Sequence, residues 1–143
     1  FAKKAFGQAS NPYMEVLFEG VEMRTFTYNF TFSPRNERET EDVQKIIKMF
    51  RFHMLPEIKG SSERFMTLPS TFDIHYMFQV DKDQAEENNF YHKIATCVLK
   101  GCNVDYTPGA VKSFASGAPT QITMSLTFQE TEMLTKQHID KGY

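Results

Sequence analysis

Hydrophobic and polar positions alternate with a period of two over several stretches of the chain and switch to a helical period over one. From Arg24 to Phe32, Phe26, Tyr28, Phe30 and Phe32 fall on one side and Thr25, Thr27, Asn29 and Thr31 on the other, the pattern of a half-buried strand with an aromatic face. Thr71 to Val80 alternates likewise, with Phe72, Ile74, Tyr76 and Phe78 opposite Asp73, His75, Met77 and Gln79. Thr120 to Glu130 is the cleanest case: Ile122, Met124, Leu126 and Phe128 read as inward, and Gln121, Thr123, Ser125, Thr127 and Gln129 as outward. Tyr91 to Tyr106 reads as a further long strand, bulged at Gly101. The helical period covers 37 to 54, where Val43, Ile46, Ile47, Phe50 and Met54 form a stripe and Lys45, Lys48 and Arg51 lie off it. Asn36 is placed to cap this helix and Glu39, three residues on, to close a capping box. Acidic side chains at its start and basic ones at its end suit the helix dipole, and Pro56 stops it.

Around these elements, residues 1 to 12 lack a period and end in Asn11-Pro12, an N-terminal arm or linker; residues 13 to 143 form one domain. Tyr13 to Phe18 is a short strand candidate, and Glu19-Gly20 would turn it into a hairpin with the strand ending at Phe32. Residues 55–70 and 107–119, rich in Pro, Gly and Ser, read as irregular connections, with a short extended piece at Phe65 to Leu68. The charged run 81–89 reads as a solvated loop or helical turn, and Met133 to Ile139 as a short helix or tail. Strands joined by irregular loops rather than by a series of helices argue for an antiparallel sheet or barrel with a helix laid across it. Its core is expected to contain Phe26, Tyr28, Phe30, Ile46, Ile47, Phe50, Ile122, Leu126 and Phe128.

A chain of 143 residues is long enough to bury a real core as one domain. Its 14 Phe and absence of Trp favour strands around a Phe-packed interior. The formal net charge of −2 excludes a general basic field for nucleic acid. No apolar run approaches the roughly 20 residues that span a bilayer, so membrane insertion is not expected. No charged-then-apolar leader opens the chain; it begins at Phe1 and reads as a fragment of something longer. Cys97 and Cys102 are five residues apart within one apparent strand, which puts them on opposite faces and argues for reduced thiols rather than a disulfide. No zinc-type spacing accompanies them.

Candidate chemistry is sparse. His53, His75, His92 and His138 are scattered, and Asp73 with His75 on one strand face is half of an acid–base pair at most. No nucleophile elbow, phosphate loop, HExxH or paired-carboxylate motif joins them, so neither catalysis nor a cofactor or metal is expected. The acidic run Glu37, Glu39, Glu41 and Asp42 reads as a solvated helix start or as a docking surface for a basic neighbour. The outward faces of 24–32 and 120–130 are uncharged and mostly short, where a solvent face is usually laced with Lys and Glu. Two readings stand on composition: a smooth, non-adhesive inner surface, or threonine used as a good strand former.

Certain residues carry a resemblance. Asn11-Pro12, Glu15 to Phe18, Arg24 to Phe30, Ser33-Pro34-Arg35 before a Glu-rich helix start, and Ile46-Ile47 with Phe50 are one set. Cys97 to Lys100, Asn103 to Tyr106, Gly117 to Thr120 and Leu126 to Glu130 are the other. Together they resemble the tail-tube fold of contractile phages, most closely the baseplate tail-tube initiator or tube-junction proteins. The resemblance covers nearly all of residues 11 to 143. It implies a mainly β fold with one principal α-helix: two packed antiparallel sheets forming a partly closed barrel, with the helix at the rim. It further implies a homo-hexameric ring in the virion, assembled in the host cytoplasm, between an adjacent tube ring and the baseplate hub proteins, with DNA passing through the lumen without specific binding. Thr25, Thr27, Asn29, Thr31, Gln121, Thr123, Ser125, Thr127 and Gln129 would line that lumen. Glu37, Glu39, Glu41 and Asp42, with the loops at 55–70 and 107–119, would meet neighbouring copies. Initiator proteins carry an extra N-terminal region that is not seen here, so an ordinary tail-tube protein or a type VI secretion tube protein stands as the alternative. From a different class, a small-ligand-binding β-barrel would use the aromatic strand faces to line a pocket.

Overall fold

A computed structural model describes residues 20–60, 65–108 and 113–143. The expected arm, the strand at Tyr13 to Phe18 and most of its hairpin lie outside the described residues. The elements are β1 (Thr25–Phe32), α1 (Glu37–Met54), β2 (Ile58–Lys59), β3 (Phe65–Met66), β4 (Met77–Asp81), β5 (Gln84–Glu87), β6 (Cys97–Asp105), β7 (Ile122–Glu130) and α2 (Lys136–Asp140).

The main sheet is antiparallel, three-stranded and ordered β1-β7-β6, so the last strand lies between the first and β6. Pairing runs the full length of β1, from Thr25 opposite Gln129 to Phe32 opposite Ile122. That register keeps the two apolar sets on one face, because Phe26, Tyr28 and Phe30 stand opposite Phe128, Leu126 and Met124. α1 packs on this face against β6, and Val43 and Ile47 join Ile94, Cys97, Leu99, Ile122, Met124, Leu126 and Phe128 in the buried core. Asn36 caps α1, its Oδ1 accepting the Glu39 N–H at 2.9 Å. The reciprocal half of the capping box is displaced by one residue: the Glu39 carboxylate accepts from the Arg35 N–H at 2.7 Å instead of from Asn36. At the other end Leu55 is extended, as a residue before proline must be, and the helix stops at Met54.

The expected barrel is not formed. The sheets are small and separate, and none is closed or curled into a barrel. The reason lies in 71–80, which was to supply a long strand. Only Phe72 pairs its backbone with the main sheet, through a bridge to Cys97; Ile74 and Tyr76 pack on the core by their side chains as the backbone leaves the sheet. Met77–Asp81 pairs instead with Gln84–Glu87, the stretch expected to be a loop or helical turn. The Asp81 carboxylate accepts the Lys82 N–H at 2.7 Å and fixes the turn between them. Among the described residues the main sheet has three strands and two outer edges, too few to close. β2 and β3 form a second small hairpin within the connection 55–70.

Two further readings are corrected. Phe30 and Ile46, expected in the core, are exposed; Phe26, Tyr28 and Phe50 are half-buried against it. Cys97 and Cys102 share the apolar face rather than opposing one another. The register shifts between Leu99 and Gly101, so Lys100 is an extra residue that reverses the alternation and returns Cys102 and Val104 to the core side.

Candidate interaction surface

The register brings the expected channel-lining residues together on the face of the sheet opposite α1. Thr25, Thr27, Asn29 and Thr31 of β1 pair with Gln129, Thr127, Ser125 and Thr123 of β7. The Thr27 and Thr127 hydroxyl oxygens are 3.4 Å apart. Gln121 lies just ahead of β7. β6 extends the face with Gly101, Asn103 and Asp105 opposite Thr127, Ser125 and Thr123. Asn29, Thr31, Asn103, Asp105, Thr123 and Ser125 line an open depression of about 360 Å³ at one end. A bulge was expected at Gly101 and the register shift lies there, between Leu99 and Gly101, but the faces beyond it were not reassigned, so Asn103 and Asp105 were missed in the sequence.

The acidic helix start is divided in its bonding. Glu37 and Glu41 are exposed. Glu39 is engaged by Arg35 through its backbone N–H and through a guanidinium contact at 3.0 Å, and these bonds hold its carboxyl below the usual range. Asp42 stands 3.8 Å from Lys45. Of the four, Glu37 and Glu41 make no ion pair among the described residues.

On the α1 face, one end of the sheet is locked by an ion pair. Arg24 donates from Nε to Glu130 Oε1 at 2.6 Å and from Nη2 to Oε2 at 2.9 Å, and the Ala95 N–H donates to the same carboxylate at 2.7 Å. Burial opposes the charge on Glu130, but the bonds from Arg24 and Ala95 outweigh it and hold its carboxyl below the usual range. The same bond raises the affinity of Arg24 for its proton. Neighbouring Cys97 is fully buried, and burial, with the Glu130 charge beside it, pushes its thiol up to about 11. It is an unreactive core thiol. This pair has a signal in the sequence: Glu130 continues the inward parity of Ile122 to Phe128, and Arg24 continues that of Phe26 and Tyr28. A charge in an apolar series asks for a partner.

The remainder of this face is an apolar groove of about 470 Å³ between β1, α1 and the segment 72–76. Tyr28, Phe50, Phe72, Tyr76 and Phe128 line it, and the Tyr28 and Tyr76 hydroxyls are 2.6 Å apart. Burial first, and this bond second, pushes the Tyr28 phenol above its usual value. Asp73 and His75 both border the groove, but each is bonded elsewhere: Asp73 accepts from the Thr96 hydroxyl at 2.9 Å, and His75 faces Glu87 at 3.5 Å. The described residues hold no cluster of His, Cys, Asp and Glu fit for a metal ion. No described helix is long and apolar enough to cross a membrane. No protein-family model and no curated protein matches the chain.

Proposed function

We propose that this protein is a ring-forming structural subunit of a contractile phage tail, placed where the baseplate meets the tail tube, and that copies of its three-stranded sheet line a channel for DNA. The observation that carries the reading is the continuous face built from Thr25, Thr27, Asn29 and Thr31 beside Gln129, Thr127, Ser125 and Thr123. A wall passed by DNA must be wetted, yet a dense row of Lys or Arg would retain phosphates through counterion release. Short neutral side chains meet both needs. The outer edges of β1 and β6 carry no strand partner among the described residues, apart from the bridge at Cys97, and open edges favour pairing with another chain. A head-to-tail contact repeated around an axis closes into a ring. The six-fold number, the hub and tube-ring partners and the virion location rest on the resemblance. A plain tube subunit of a phage or a type VI system would use the same face.

Cysteine labelling tests it. Thr27→Cys and Thr127→Cys are made in separate chains, because the two hydroxyls are close enough for paired thiols to react. Cys97 and Cys102 are first changed to Ser; a hydroxyl at 97 retains the bond that the thiol donates to the Ala95 carbonyl. In assembled rings each new thiol should react with a small maleimide and resist one coupled to a polymer wider than the channel. Equal labelling by both reagents would refute the assignment.

The groove bordered by Tyr28, Phe50 and Tyr76 favours a second reading, a monomeric binder of a small apolar ligand. It is distinguished by mass in solution, since this reading requires no assembly at any concentration.

A further inference from the structure

The β4–β5 hairpin stands away from the main sheet with every residue exposed. Its base is tied by the Asn88 N–H to the Tyr76 carbonyl at 2.7 Å. Phe78 pairs with Glu86, so these two share one face; the register shifts between Gln79 and Asp81, which makes Val80 the extra residue of a bulge, and Lys82 and Asp83 form the turn. Phe78 is 44% exposed and Val80 51%, a large apolar area to leave in water on a two-stranded ribbon. A separate groove of about 430 Å³ runs along the C-terminal half of α1, lined by Lys48, Arg51, Phe52, Leu55 and Tyr106. Phe52 is 71% exposed and Leu55 60%. No ion pair among the described residues engages Lys48, Arg51, Asp83 or Glu86. The two surfaces are therefore complementary: apolar side chains with two carboxylates on one, apolar side chains with two cations on the other.

We propose that the groove on α1 receives the β4–β5 hairpin of a second copy of this chain. Phe78 covers Phe52 and Leu55, and Asp83 and Glu86 meet Lys48 and Arg51. The hairpin and the groove are different patches, so the contact is head-to-tail and propagates from copy to copy, which is what a ring requires. The inference rests on the ring reading above and names the contact that holds it.

Charge exchange in the full chain tests it, with assembly followed by sedimentation. Reversing the hairpin (Asp83→Lys with Glu86→Lys) or the groove (Lys48→Glu with Arg51→Glu) should raise the concentration for half-assembly about tenfold or more. The four changes together should restore assembly to within about threefold of wild type, because the pairs are exchanged rather than lost. Circular dichroism melting checks that each variant is folded. As an independent measurement, Phe78→Cys and Leu55→Cys in separate chains lacking the native thiols should form an inter-chain disulfide on mixing. Rings that assemble normally in both reversals, or an exchanged variant no better than either reversal, overturn this contact and leave the ring reading standing. A wild-type chain that forms no ring overturns both.

Discussion

β7 and β4 come from similar alternating sequence and meet different fates. β7 has a strand on each side and α1 against its apolar face, and every second residue from Ile122 to Glu130 is buried. β4 has one partner among the described residues, β5, and all five of its residues are exposed. Alternation thus specifies which side chains can share a face, but burial depends on how many neighbours the topology supplies. One region buries its apolar side chains in the subunit's own core; the other leaves them exposed. Variants that should act on only one of the two regions can break this contrast.

The largest effect is expected in the sheet. Phe128 is buried and packs edge-on against Phe72 and Tyr28, so Phe128→Ala should lower unfolding free energy by about 3–5 kcal/mol. Denaturant titration measures it, and a loss below about 1 kcal/mol would mean that the β7 face is not the core.

Next comes the ion pair. Arg24→Ala leaves the Glu130 carboxylate buried with the Ala95 N–H alone, and should cost about 3 kcal/mol near neutral pH. The pH dependence gives it a signature. The folded-state pKa of Glu130 is depressed, so its contribution is present above the unfolded value of about 4.3 and is lost as pH falls through the lower folded value. Without Arg24, burial raises that pKa, and the folded variant takes up a proton more readily than the unfolded one. The stability gap between wild type and Arg24→Ala should therefore narrow as the solution is acidified. A gap constant with pH would assign the loss to packing against Phe26, over which the guanidinium lies at 5.3 Å.

Much of this fold was legible because local signals agreed. α1 begins and ends where Asn36 and Pro56 predict, and β1 and β7 follow their alternation, so the neutral polar face could be read before its strands were known to be neighbours. What was not legible depended on pairing. Gln84–Glu87 has a polar, acidic sequence that reads as a loop, and becomes a strand only because β4 lies beside it. Gly101 signalled the bulge in β6, but not that Lys100 would be the extra residue that returns Cys102 and Val104 to the core side. The barrel was one of two forms that strands joined by irregular loops allowed and the one the resemblance implied, and it failed because 71–80 left the main sheet after one bridge. The proposed pairing of the hairpin with the α1 groove had no full linear signal, since Tyr106 joins Lys48 and Arg51 only in the fold.

The smallest effect is expected in the hairpin, where the absence of an effect on stability is informative. Phe78→Ser removes an aromatic ring from the same class of alternating position as Phe128. If alternation alone decided burial, it would cost several kcal/mol. Phe78 instead faces solvent, opposite Glu86, on a ribbon with one neighbouring strand. Its removal should change the stability of the isolated subunit by about 0.5 kcal/mol or less, in the range of ordinary surface substitutions. The same variant should weaken assembly, because the proposed contact between copies covers Phe78. Melting the dilute subunit and sedimenting the concentrated one separate the two quantities. A dilute subunit destabilised as much as Phe128→Ala would place Phe78 in a folded core and remove the distinction between the two regions.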